Sequence, residues 1–218
     1  MNPSALRYSG AAAVVVLWTT MSVGSVRARF DLFGTRPLSY LAEDPSAALL
    51  FGAGLVVAAI LLVGFHRYVR ERYPVTPAFS WLMLGGLAGQ LVAGVVPIGG
   101  DGISHFVHTT SALILGASLP VFMWRFAASQ PAGAWRRVSY ALFWGEAAAC
   151  AIGLFLSHRG VAPLAEIVPA ALFHLWIVTL TMRPWPEASD DHATRPVARA
   201  ERSTIVASVT KQAVGDQA

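Results

Sequence analysis

Ala47–Phe65 reads AALLFGAGLVVAAILLVGF, a run without one charged or polar side chain. At 1.5 Å per residue a helix of this length rises about 28 Å, close to the ~30 Å hydrocarbon core of a bilayer. Backbone groups in hydrocarbon find no water, so the run must satisfy its own hydrogen bonds, and an α-helix does that. Five more windows of equal length behave alike: Tyr8–Val26, Ala78–Val96, Phe106–Trp124, Val138–Leu156 and Leu164–Met182, none with Arg, Lys or Asp. The spacing predicts an all-α polytopic membrane protein, a six-transmembrane-helix bundle over residues 1–183. Arg7 ahead of apolar residues 11–18, with Ser22-Val23-Gly24 behind, also fits a signal peptide. With five spans following, a signal anchor is the simpler account.

Composition supports the same class. Of 218 residues, 55% are hydrophobic and only 13% charged, against about 25% charged in soluble domains. This excludes a water-soluble enzyme, and a disordered chain would need low hydrophobicity and high net charge. The net charge of +4 and pI near 9.7 do not point to nucleic acid, because the basic residues lie between apolar runs and form no stripe. Cys150 stands alone, which rules out an intrachain disulfide and a Cys-rich metal site.

Lys and Arg set the expected orientation, since cytoplasmic loops carry the excess. With the N-terminus inside, twelve of the 16 basic residues are cytoplasmic, and Arg27, Arg29, Arg36 and Arg159 are outside. Both termini are then expected in the cytoplasm, with the protein in the inner membrane. Tyr8, Tyr68, Tyr73, Trp81, Trp124, Trp135, Tyr140 and Trp185 should gather at the inner interface, where amphipathic rings favour the headgroup zone. Residues 184–218, with Pro184, Pro186, Asp190 and Asp191 and few large apolar side chains, are expected to form a disordered cytoplasmic tail.

Small residues at four-residue spacing share a helix face and permit close approach. Gly85, Gly89 and Ala93 form such a stripe in the third span. The fourth has His108, Ala112, Gly116 and Pro120, and the fifth Gly145, Ala149 and Gly153. Asp44-Pro45-Ser46 suits the start of the second helix, with Asp as cap and Pro in the first turn. Gln90 is expected to hydrogen-bond to a neighbouring helix. His66, His158 and His192 are expected to be solvated.

Ionisable groups inside a span mark function by default, because burial costs at least ~2.5 kcal/mol each. Glu146 and His174 lie eight residues inside their windows, at matching depth on consecutive antiparallel helices. They form a candidate intramembrane pair, either proton-coupling or merely joining two helices. On the outer side, Asp101, His105, His108 and Glu166 offer nitrogen and oxygen donors. Asp101, His105 and His108 are candidate ligands for zinc. The structural alternative has Asp101 shaping the Gly99-Gly100 turn and the histidines satisfied at the interface. No serine nucleophile elbow, phosphate-binding Gly loop or nucleic-acid module is present.

Arg36-Pro37-Leu38-Ser39-Tyr40-Leu41 is followed by Ser46 and Phe51, then Val95-Val96-Pro97, then Asp101 with His105 and His108. That order resembles the bacterial six-helix membrane family catalogued as domain of unknown function 998, over about residues 8–183. A Pro-x-Ser outer loop and a Pro…Asp…His element recur there. The family's Gly-Leu…Arg element is spaced differently here, in Gly153-Leu154 and Arg159. The resemblance implies no agreed activity, and the family is distantly similar to eukaryotic six-span proteins of membrane-lipid organisation and autophagy modulation. Carried over, it implies that Ser39, Tyr40, Asp101, His105 and His108 converge on the outer face.

Three functions follow as expectations. The first is a non-catalytic integral membrane protein that interacts with membrane lipids through an outer polar pocket including Arg36, Asp101 and His105. The second is a metal-dependent lipid hydrolase in the style of alkaline ceramidase-like enzymes, although the last helix has no His-x3-His. The third is a proton-coupled transporter using Glu146 and His174, although no internal repeat is evident.

Overall fold

In a computed structural model, residues 3–183 apart from Gly100 are described, and all regular elements among them are helical. The long helices are α1 Pro3–Arg27, α2 Ala48–Arg72, α3 Pro77–Val95, α4 Gly102–Ser129, α5 Ala134–His158 and α6 Ala162–Met182, with a short 3-10 helix at Leu38–Ala42. All six long helices have the length and apolarity to cross a membrane. The chain is a multi-pass membrane protein. The expected tail, residues 184–218, lies outside the described residues, and with it Trp185 and His192.

Local chemistry sets the helix ends. Thr76 caps α3 by accepting from the Phe79 amide at 3.3 Å, with Pro77 in the first turn. Asp101 caps α4 by accepting from the Ser104 amide at 2.8 Å. Asp44 behaves otherwise than its position suggests. It accepts from the Ser46 amide and hydroxyl, closing a turn before α2, whose cap is Ala47 without a side-chain bond. Gly133 enters α5 at φ 145, a conformation open essentially to Gly alone.

Each helix packs on the next, and α6 returns to α1. Arg7 Nε donates to the Thr181 carbonyl at 2.5 Å, which brings the start of α1 and the end of α6 to one end of the bundle, here termed the terminal end. Nearer that end lies an aromatic core. Trp176 meets Phe65 of α2, Phe122 and Phe126 of α4, and Phe173 of its own helix, at centroid distances of 5.4–6.2 Å. Tyr68 and Tyr73 belong to this core and not to the interfacial belt, whereas Tyr8, Trp81 and Trp124 are exposed as an anchor requires. His66 is also buried, stacked on Phe79, contrary to the expectation of solvation; His158 is exposed. Gln130 fastens three segments, donating to the Pro74 and Phe126 carbonyls and accepting from Trp135 Nε1.

Helix α3 is clamped on both sides. Towards α2, Gln90 Nε2 donates to the Leu55 carbonyl at 3.0 Å, and a Cβ on Gly52 would lie 2.6 Å from the Gly94 carbonyl oxygen. Towards α4, Gly86 abuts Ser118 and Gly89 abuts the Ser111 backbone. The four-residue stripe is thus only partly at the interface. Gly89 and Gly153 sit in close contacts, while a Cβ on Gly85 or Gly116 would meet nothing within 4 Å among the described residues.

The α4 cap carries a pH prediction. Hydrogen bonds from the Ser104 amide and hydroxyl hold the Asp101 carboxyl below its ordinary 3.8. A carboxylate depressed in the folded state stabilises it above the unfolded value, and that contribution is lost as pH falls through the folded one. The Ser104 amide resonance is expected to shift with a titration midpoint below 3.8, and the shift should vanish in Asp101→Ala. A midpoint at or above 3.8 would contradict the cap.

Candidate functional site

The end of the bundle opposite the terminal end is built by the long α1–α2 connection. α1 closes in a Schellman motif: the Phe30 amide donates to the Ser25 carbonyl at 2.9 Å and the Arg29 amide to Val26 at 3.2 Å. Arg29 therefore occupies the left-handed position, at φ 50, where Gly is the usual resident. The same motif ends α5, with Val161 bonded to Leu156 and Gly160 to Ser157, and there Gly160 takes the left-handed place at φ 77. A side chain in that conformation costs roughly 1–2 kcal/mol.

Two long-range bonds then tie the connection to α6. The Leu38 amide donates to Glu166 Oε2 at 2.9 Å, and the Ala162 amide donates to the Gly34 carbonyl at 3.2 Å. Leu38 and Leu41 of the 3-10 helix are fully packed. Above this floor opens a cleft of about 690 Å³ lined by Ala28, Arg29, Phe30, Asp31, Gly34, Thr35, Arg36, Tyr40, Glu43, Asp44 and Pro45. It holds two guanidinium groups and three carboxylates. Among the described residues neither Arg29 nor Arg36 makes an ion pair or a side-chain hydrogen bond, and Glu43 has none either. Asp31 accepts from the Phe33 amide. The Ser46 hydroxyl and amide hold the Asp44 carboxyl below the ordinary carboxylate value, so it is charged at neutral pH.

The outer-side candidate residues divide into two groups. Arg36 and Tyr40 line the cleft, and Glu166 holds its floor together through Leu38. Ser39 lies in the 3-10 helix between them. Asp101, His105 and His108 sit instead at the α3–α4 turn. His105 Nδ1 contacts the Ile98 carbonyl at 3.3 Å and His108 Nδ1 the Val96 carbonyl at 2.6 Å, so both rings latch α4 to the segment before it. With Asp101 engaged as a cap, no three His, Cys, Asp or Glu side chains stand grouped for a metal ion among the described residues. Glu43 of the cleft lies close to Gly99, in the turn that precedes Asp101. Arg29, Asp31, Glu43 and Asp44 were not expected in the site. Their signal was charge density, several ionised residues within one short loop of a chain that is only 13% charged.

Glu146 and His174 are both buried, but no hydrogen bond or ion pair joins them. Glu146 Oε1 accepts from the Cys150 thiol at 3.6 Å, while its Oε2 and His174 Nδ1 have no partner among the described residues. The α5–α6 register explains the miss. Gly145 faces Leu172, and Gly153 faces Ala165, so Glu146 and His174 are offset by two to three residues, about 4 Å along the axis. The His174 ring turns to α1, edge-on to Trp18 at 5.7 Å.

Fold and cleft together define a six-helix membrane-spanning bundle with a charged, loop-built cleft at one end. Comparison with protein-family models, curated proteins and solved structures gave no match.

Proposed function

We propose that this chain is a non-catalytic integral membrane protein that binds membrane lipid through the cleft at the end of α1. The single observation behind this reading is the pair of guanidinium groups, Arg29 and Arg36, exposed along one open cleft and, among the described residues, without an ionic partner. Arginine recognises phosphate by paired, charge-assisted hydrogen bonds. Val26, Phe33 and Leu49, within four residues of cleft-lining positions in the sequence, are exposed by 78%, 75% and 84%, as acyl chains would require. The distribution of basic residues supports an outer-face cleft, cytoplasmic termini and the inner membrane. The short motifs resembling the domain of unknown function 998 family support membership of that bacterial family. No nucleic-acid partner is proposed.

Native mass spectrometry of the full chain, extracted in mild detergent, tests the reading. Lipid is expected to remain bound and to fall by about tenfold in Arg36→Ala, the loss of one charge-assisted contact. Protein that carries no lipid, or an Arg36→Ala variant that carries as much, would overturn it.

A further inference from the structure

The cleft combines both signs of charge without neutralising itself. Arg29 and Arg36 line the same cavity as Asp31, Glu43 and Asp44, and no ion pair forms between the two sets. A ligand bearing one sign only leaves the other set desolvated or repelled. A simple anion would satisfy the arginines while facing three carboxylates, and like-charge juxtaposition discriminates strongly against such a partner. A simple cation meets the converse difficulty. A zwitterion with its two charges a few ångströms apart satisfies both sets.

We propose that the cleft binds a zwitterionic phosphodiester headgroup of the phosphoethanolamine class, with the phosphate on Arg29 and Arg36 and the ammonium among Asp31, Glu43 and Asp44. This rests on the lipid-binding reading and adds the headgroup chemistry to it. The cavity, about 690 Å³, lies within the range of small-ligand sites and has room for the glycerol as well. Phe30, Ala28 and Pro45 supply an apolar wall for the carbon atoms between the charges. The floor is fixed before binding by the Leu38–Glu166 and Ala162–Gly34 hydrogen bonds, so little ordering is left to oppose association.

Arg29 supplies an independent argument. Two helices, α1 and α5, end in the same Schellman geometry, and one has Gly160 in the left-handed position while the other has Arg29. The structure therefore tolerates a strained backbone at the one such residue that faces the cleft. Strain kept at a cavity wall, where Gly would relieve it, points to a use for the side chain. It also gives a substitution that separates binding from folding, because Arg29→Gly relaxes the backbone.

The test uses the full chain in detergent, titrated with short-chain phosphatidylethanolamine, short-chain phosphatidylglycerol and water-soluble glycerophosphoethanolamine. Phosphatidylethanolamine is expected to bind about tenfold more tightly than phosphatidylglycerol. Arg29→Gly should weaken phosphatidylethanolamine binding about tenfold or more while its melting temperature stays level or rises. The Asp31→Asn/Glu43→Gln double variant should lose the preference for ethanolamine over glycerol. Equal or tighter phosphatidylglycerol binding would overturn the zwitterion proposal and leave the lipid-binding reading intact, and so would unchanged affinity in Arg29→Gly. If neither lipid bound, the lipid reading would fall and this one with it. Glycerophosphoethanolamine binding as tightly as the lipid would uphold the headgroup chemistry and assign it to a free ligand.

Discussion

Trp176→Ala is expected to destabilise the bundle by about 3–5 kcal/mol, the range for deleting a large buried aromatic side chain. In a membrane, lipid tails are as apolar as the helix faces, so the hydrophobic effect does not hold helices together and close packing must. Trp176 is 1% exposed and touches aromatic side chains of α2, α4 and α6 together. Its removal leaves Phe65, Phe122 and Phe126 without their common partner, and the cavity lies too deep for acyl chains to fill. Trp81, 76% exposed, is the control: Trp81→Ala should change stability by about 0.5 kcal/mol or less. Unfolding in a graded denaturing detergent, followed by circular dichroism, reads both. If Trp176→Ala lost no more than Trp81→Ala, the aromatic core would not be what closes the ring.

The same contrast shows what a membrane sequence discloses. The six spans were legible, because length and the absence of charge are local properties. Which face of each span turns inward was not, since a helix that is apolar all round has no amphipathic signal. Tyr68 and Tyr73 read as interfacial anchors and are core residues, while Trp81 read the same way and is exposed. Gln90 was legible as an interhelical donor because a lone amide in hydrocarbon must find an acceptor, and Leu55 provides it.

Arg36, expected in an outer polar pocket, and Tyr40, expected there through the family resemblance, both line the cleft. Arg29 was not, because its importance lies in a backbone angle, φ 50, that no residue pattern announces. Glu166 was placed at the correct end of its helix, yet its partner, the Leu38 amide, is a backbone group 128 residues away. Glu146 and His174 show the limit of counting depth from apolar windows. A register error of two to three residues separates side chains that an ideal count brings level, and side-chain direction then takes them to different neighbours.

Register also decides the sign of glycine substitutions, and Gly89→Leu should give the second large effect. A Cβ on Gly89 would stand 2.6 Å from the Ser111 carbonyl oxygen and 3.4 Å from the Leu115 nitrogen. Both are backbone atoms of α4, which cannot swing aside as a side-chain tip does. Nor can α3 retreat, since Gly94 is pressed against Gly52 and Gln90 is bonded to Leu55 on its other flank. The leucine must therefore part α3 from α4. Overpacking of this kind costs about 1–3 kcal/mol and more where nothing can yield, so the upper end is expected. Gly85 lies one turn away in the same small-residue stripe, but a Cβ there would meet nothing within 4 Å among the described residues. Gly85→Leu should be neutral or slightly stabilising, because Gly in a helix interior is disfavoured by roughly 0.5–1 kcal/mol relative to Ala. Thermal unfolding of the two variants under identical detergent conditions makes the comparison, and equal midpoints would show that α3 and α4 do not meet at Gly89.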